Sequence, residues 1–212
     1  MKVLTTPRAA SAIGKVALIS APLGVMLDNQ HGLFNVLNYA EFGGAYTISF
    51  GETLFVKSAI WVPFLFAIAG LSMSSIQLLA DELLPTQSQS LSWPKTFLNI
   101  GLFSLQYYIS GALDFLGVSP LLINAVLTFI ALAGFLMFDG SSAGLFLAIA
   151  TAVAGPTAEI VLINGPHLYT YTHADILGIC SWIPAVYFLG GSAVGNLTRM
   201  LASKETKKIS ND

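Results

Sequence analysis

Two apolar stretches, "LLINAVLTFIALAGFLMF" (121–138) and "AGLFLAIATAVAGPTAEIVLI" (143–163), are separated only by "DGSS". Each matches the roughly 20 residues a helix needs to cross the hydrocarbon core of a bilayer. Unpaired backbone groups are too costly in lipid for such runs to take any form but helix or closed barrel. Four further runs of that kind complete a set of six expected spans: 11–27, 58–80, 97–113, 118–138, 142–163 and 177–200. The composition agrees: 55% of the residues are hydrophobic and 9% charged, with mean hydropathy +0.74, against about 25% charged in a soluble domain. The expectation is an all-α polytopic membrane protein of six transmembrane helices. Residues 1–10 form a short N-terminal tail, 11–202 one membrane domain, and 203–212 a solvated tail. The basic, apolar beginning also has the look of a presequence. With no small-x-small site before "DNQH", it reads better as the first span.

With six spans, both termini share one side. That side holds Lys2, Arg8, Lys15, Lys95, Arg199, Lys204, Lys207 and Lys208, and the other only Lys57. Lys and Arg accumulate in cytoplasmic loops, so both termini are expected in the cytoplasm. The long connection "DNQHGLFNVLNYAEFGGAYTISFGETLFVK" then lies on the far side, along the membrane interface. The turn around Asp139 makes spans four and five an antiparallel hairpin. No basic block suggests nucleic acid as a partner.

Polar side chains inside spans are expensive and mark candidate sites. Thr151, Gly155 and Glu159 recur at every fourth position of the fifth span and share a face, which Pro156 loosens by removing a backbone donor. Asn99, Gln106 and Ser110 share a face of the third span, and Asn124 and Thr128 lie one turn apart on the fourth. These groups could take a lipid hydroxyl in an otherwise apolar pocket, or join helices by hydrogen bonds. Glu159 has the same two readings. Gly191 and Gly195 form a small-xxx-small pair suited to close helix approach. Asp139 and the serines after it suit the cap of the fifth helix.

No enzyme constellation is present in the sequence. His31, His167 and His173 fall in far-side loops without metal-ligand spacing, no serine sits in a nucleophile elbow, and no glycine-rich phosphate loop occurs. Asp81 and Glu82 read as a solvated helix end. "NLT" (196–198) falls at a cytoplasmic helix end, where it would not be glycosylated. The single cysteine, Cys180, reads as a small buried residue. No cofactor and no metal are expected.

In order along the chain come "WVP" (61–63), "LDF" (113–115), "FDGSSAG" (138–144), "INGPHLYTY" (163–171), "SWIP" (181–184) and "GGSAVGN" (190–196). Together they resemble the Insig (insulin-induced gene) family, over about residues 58–202. The resemblance implies a six-helix regulator in the endoplasmic reticulum membrane. Such a protein would bind oxysterol among its helices and hold membrane proteins with sterol-sensing domains, Scap-like or HMG-CoA reductase-like. Bacterial relatives bind diacylglycerol and fungal ones act as chaperones, so a plastid or bacterial inner membrane is the alternative location. It also implies that Asp139 contacts the partner; with a lipid ligand expected, the polar faces described above make Asn99, Gln106, Asn124, Thr128, Thr151 and Glu159 the expected lipid contacts. The chain departs from the animal pattern at Glu159, where a glutamine is usual. It departs again at "GSSAG", which lacks the basic residues of that turn, and at Cys180, which replaces an arginine.

Overall fold

The computed structural model describes residues 4, 6–84 and 92–203. Six helices make up most of it: α1 (Pro7–Leu33), α2 (Val62–Leu83), α3 (Trp93–Phe115), α4 (Pro120–Phe138), α5 (Ser142–Asn164) and α6 (Ile183–Ala202). All but α5 begin with a proline in the first two positions, where its missing N–H costs nothing. Thr6, Ser92 and Ser141 cap α1, α3 and α5 by accepting from the amides of Ala9, Lys95 and Gly144. By length and composition α1, α2, α4 and α5 could each cross a membrane. The other two, α3 and α6, are long enough but more polar.

That difference follows from position. Helix α6 is the post of the bundle and packs on each of the other five helices. Around it the order is α4, α3, α1, α2, α5. Helices α4 and α5, joined by the turn at Asp139, pack along α6 rather than along one another. Close approach depends on glycines. A Cβ at Gly191 would stand 2.7 Å from Ala148 Cα on α5, and one at Gly195 would stand 2.5 Å from Gln77 Oε1 on α2. The small-xxx-small pair therefore serves packing within the chain.

Several expectations need correcting. Helix α1 runs to Leu33 rather than stopping near 27, so Asp28 and His31 belong to the helix. Its polar last turns persist because they face protein: His31 is buried beside Ser110 and Tyr107 of α3. Helix α6 starts at Ile183 rather than 177. Ile176 and Ile179 pair across a tight turn in which Leu177 and Gly178 have φ of 50° and 88°, conformations no helix contains.

The six-helix, mainly α architecture is as expected, with two small two-stranded sheets added to it. Strand β1 (Leu37–Tyr39) pairs antiparallel with β4 (Tyr169–Tyr171), joining the far-side connections after α1 and α5. Strands β2 (Ala45–Phe50) and β3 (Thr53–Ala59) form a hairpin with a register shift between Ile48 and Ser49. Alternation is too short in β1 and β4 to be read from sequence. Lys2, Lys204, Lys207, Lys208 and most of the expected C-terminal tail lie outside the described residues.

Gly191→Val should cost about 1–3 kcal/mol, because the backbone of Ala148 cannot yield without parting two helices. Gly14→Ala, with open space around its Cβ, should leave stability unchanged or slightly raised. Thermal unfolding of the two variants in detergent checks the contrast.

Candidate lipid and partner sites

The polar face of α3 points at the post. Asn99 is fully buried and donates from Nδ2 to Ser192 Oγ of α6 at 3.0 Å. Gln106, also fully buried, donates from Nε2 to the carbonyls of Leu127 on α4 (2.9 Å) and Ala185 on α6 (3.3 Å). The other end of each amide is different: Asn99 Oδ1 and Gln106 Oε1 are buried acceptors with no hydrogen-bond partner among the described residues. On α4, Asn124 donates to Ser181 Oγ at 3.2 Å, just ahead of α6. Thr128 is exposed on the outside of the bundle, away from the face that holds Asn99 and Gln106.

The Thr151–Gly155–Glu159 face of α5 also packs on α6. Thr151 donates back to Leu147 O of its own helix at 2.7 Å. A Cβ at Gly155 would lie 2.2 Å from the ring of Tyr187. Glu159 accepts from two hydroxyls, Tyr171 of β4 and Tyr187 of α6, each at 2.6 Å. Burial, and then the nearby Glu159 carboxyl, push the Tyr171 phenol well above its ordinary pKa, so it stays a donor. A ligand hydroxyl reaching Glu159 would have to displace a tyrosine.

Glu159 is one part of a wider polar and aromatic cap at the far end. Tyr39 of β1 donates to Asp28, and Tyr39, Trp61, Tyr169 and Tyr171 pack ring against ring. Burial first, then Asp28, raise the Tyr39 phenol. The exposed His173 sits 2.9 Å from the buried Asp114 at the end of α3.

At the opposite end, Asp139 is 3% exposed. Its Oδ1 accepts from Ser141 Oγ (2.5 Å), Ser141 N (3.2 Å) and Arg199 Nη1 (2.8 Å). Arg199 also grips Asp81 of α2 with Nε and Nη2 and donates to Ser141 Oγ. Asp81 is therefore no solvated helix end. The α5 cap itself is Ser141, while Asp139 closes α4 and orients the cap. Gly140 turns the chain at φ 65°. Gly144 must lack a side chain, since a Cβ would fall 1.9 Å from the Asp139 carboxylate. Asn196 donates to Phe138 O, so "NLT" lies buried in packed helix.

Arg199, Asp81 and Asp28 did not stand out in the sequence as members of sites. Spacing offers no signal for Asp81 and Arg199, which are 118 residues apart. For Arg199 the usable signal is a basic residue inside an apolar span. His31 likewise needed only the longer α1.

Arg199→Ala strips the cation from two carboxylates, one of them buried, and should cost about 3–5 kcal/mol; Asp139→Asn, which removes the buried charge, should cost less. Unfolding in detergent would rank them. Cys180, 1% exposed, has its thiol pushed up by burial. Maleimide at pH 8 should therefore leave it unmodified until the protein is denatured, as a mass shift would report.

No protein-family model matches the chain. The insulin-induced gene 1 protein of Danio rerio is 32% identical over 163 residues, covering 76% of this chain and 63% of that protein. That of Gallus gallus is 34% identical over 121 residues, 57% of this chain and 46% of that protein. The chain thus spans less than two thirds of the length of these curated relatives. Among solved structures, the mycobacterial Insig homolog MvINS from Mycobacterium vanbaalenii has TM-score 0.76 at 17% identity, covering 92% of this chain and 96% of that one. A cross-linked trimer of MvINS matches equally. The identity to the solved chains speaks only to the fold, whereas the curated matches carry the kinship in sequence. Motifs, sequence likeness and fold agree in likening the chain to the Insig family.

Proposed function

We propose that this protein is a membrane regulator of sterol or lipid homeostasis. It binds a sterol, oxysterol or diacylglycerol among its helices and holds a partner membrane protein, Scap-like or HMG-CoA reductase-like where the organism has one. The kinship with insulin-induced gene 1 proteins carries this reading. The endoplasmic reticulum membrane is the location it favours. The role is regulatory, not enzymatic.

For the ligand, the buried acceptors Asn99 Oδ1 and Gln106 Oε1 are the main support. A buried polar atom without a partner is rare in native structures and calls for a reason, and a lipid hydroxyl is a donor of the right kind. Asn124, Thr151 and Glu159 line the same post and would sense the ligand through α6. Thr128 would meet lipid from outside the bundle. Asp139 is the partner contact by resemblance. Because Arg199 holds it, its charge would reach a partner through the geometry of the turn 139–141. The mechanism is a population shift, in which a lipid that favours one helix arrangement changes affinity for the partner.

A labelled oxysterol, competed by diacylglycerol, tests this on the purified full chain with Gln106→Leu and Glu159→Ala alongside. Saturable oxysterol binding, weakened about tenfold by Gln106→Leu for a lost bond of ~1.4 kcal/mol, is the expected result. Displacement by diacylglycerol alone would move the reading to glycerolipid sensing. No saturable binding by folded protein would favour a scaffold.

A further inference from the structure

The β2–β3 hairpin is absent from the site described above, yet it carries much of the exposed apolar surface at the far end. Phe50 is 84% exposed, and Ile48, Leu54 and Phe55 are exposed beside it. An apolar cluster of this kind on a soluble face would signal an interaction site.

We propose that this hairpin is an interfacial anchor, its apolar tip seated in the headgroup region of the leaflet opposite the termini. The first argument is direction. Asn29 of α1 donates from Nδ2 to Phe55 O at 2.9 Å and accepts at Oδ1 from Lys57 N at 2.8 Å, so one side chain holds β3 against the helix. Lys57 also lies against Gly32, where a Cβ would meet its carbonyl oxygen at 2.9 Å. Going from Lys57 back to Phe55 therefore descends α1 from Gly32 toward Asn29, that is, toward the bilayer. From Phe55 the strand and turn have a reach of about 13 Å to Gly51 at ~3.3 Å per residue.

The second argument is polarity. Lys57 reaches away from the tip, its Nζ donating to Asn35 Oδ1 (3.1 Å) and Asn38 Oδ1 (2.7 Å) in the connection beyond α1. The hairpin thus has its cation at the water end and its phenylalanines at the membrane end. The helices on either side of this connection also turn apolar side chains outward, Met26 of α1 and Phe64 of α2 being 67% and 70% exposed.

Two features limit depth. The sheet has two strands, so β2 keeps an edge of unpaired backbone groups that hydrocarbon would not satisfy. Glu52, exposed at the tip, needs water or headgroups. Phe55 is the extra residue of a bulge in β3, opposite the Ile48–Ser49 step, so the alternation breaks and apolar residues leave the tip on more than one face. A fluid surface accommodates this better than a rigid protein groove. The anchor does not depend on which lipid the bundle binds.

The test places an environment-sensitive fluorophore on Ser49→Cys in the full chain, reconstituted in phosphatidylcholine vesicles. Thr170→Cys, exposed on β4, is the control; the native Cys180 is buried. The expected result is several-fold stronger quenching of the Ser49 label by nitroxide high on the acyl chain than by nitroxide near its end. Aqueous iodide should quench it several-fold less than the control. Iodide quenching equal to the control would overturn the anchor. Protection from both iodide and nitroxides would also overturn it, and would point to a second copy covering the hairpin.

Discussion

The removal of polar side chains from lipid by a single central helix is the constraint on which this structure depends. Helix α6 carries Ser192, Asn196, Thr198 and Arg199, a set that would be expensive facing hydrocarbon. Surrounded by five helices, each finds a partner in protein: Asn99 for Ser192, the Phe138 carbonyl for Asn196, Asp81 and Asp139 for Arg199. The surrounding helices turn Ser74, Gln77, Thr96, Asn99, Gln106 and Ser110 inward in the same way and leave Leu, Ile and Phe outside. Hydropathy therefore misjudges α3 and α6 for the reason that makes them central.

Much of this was legible because lipid enforces simple rules. Six spans, a shared side for the termini, the shared face of Asn99, Gln106 and Ser110, and the serine cap after Asp139 all follow from local periodicity. The glycines of α6 were legible as a packing motif, though not which helices they meet. Illegible were features whose cause is distant in sequence. "DNQH" stays helical only because His31 finds Ser110 and Asp28 finds Tyr39. The Asp81–Arg199 pair depends on α2 and α6 lying side by side, which no spacing announces. Strands β1 and β4 are three residues each and exist because they meet.

The two ends of the bundle differ in character. At the terminal end, one guanidinium gathers two carboxylates and a serine from α2, the 139–141 turn and α6. At the far end no cation among the described residues enters the buried cluster; tyrosine hydroxyls serve Asp28 and Glu159 instead. Ion pairing makes the first end rigid in angle, because the guanidinium fork fixes several bonds at once. The tyrosine cap is held by single hydroxyl bonds and ring contacts, a looser joint.

The place of α6 in the chain has a consequence for biogenesis. The helix on which the other five pack is the last of the six to be made. Helices α1 to α5 leave the ribosome before Ser192 can meet Asn99 or Tyr187 can meet Glu159. Until then the nascent chain must hold those amides and that carboxyl in lipid, in water or against a helper. The closing β1–β4 pair likewise waits for a strand more than 130 residues behind its partner. Assembly is thus post-insertional by geometry: a chain cut before residue 183 keeps the contacts of α1 with α2 and α3 but lacks the helix on which all five pack.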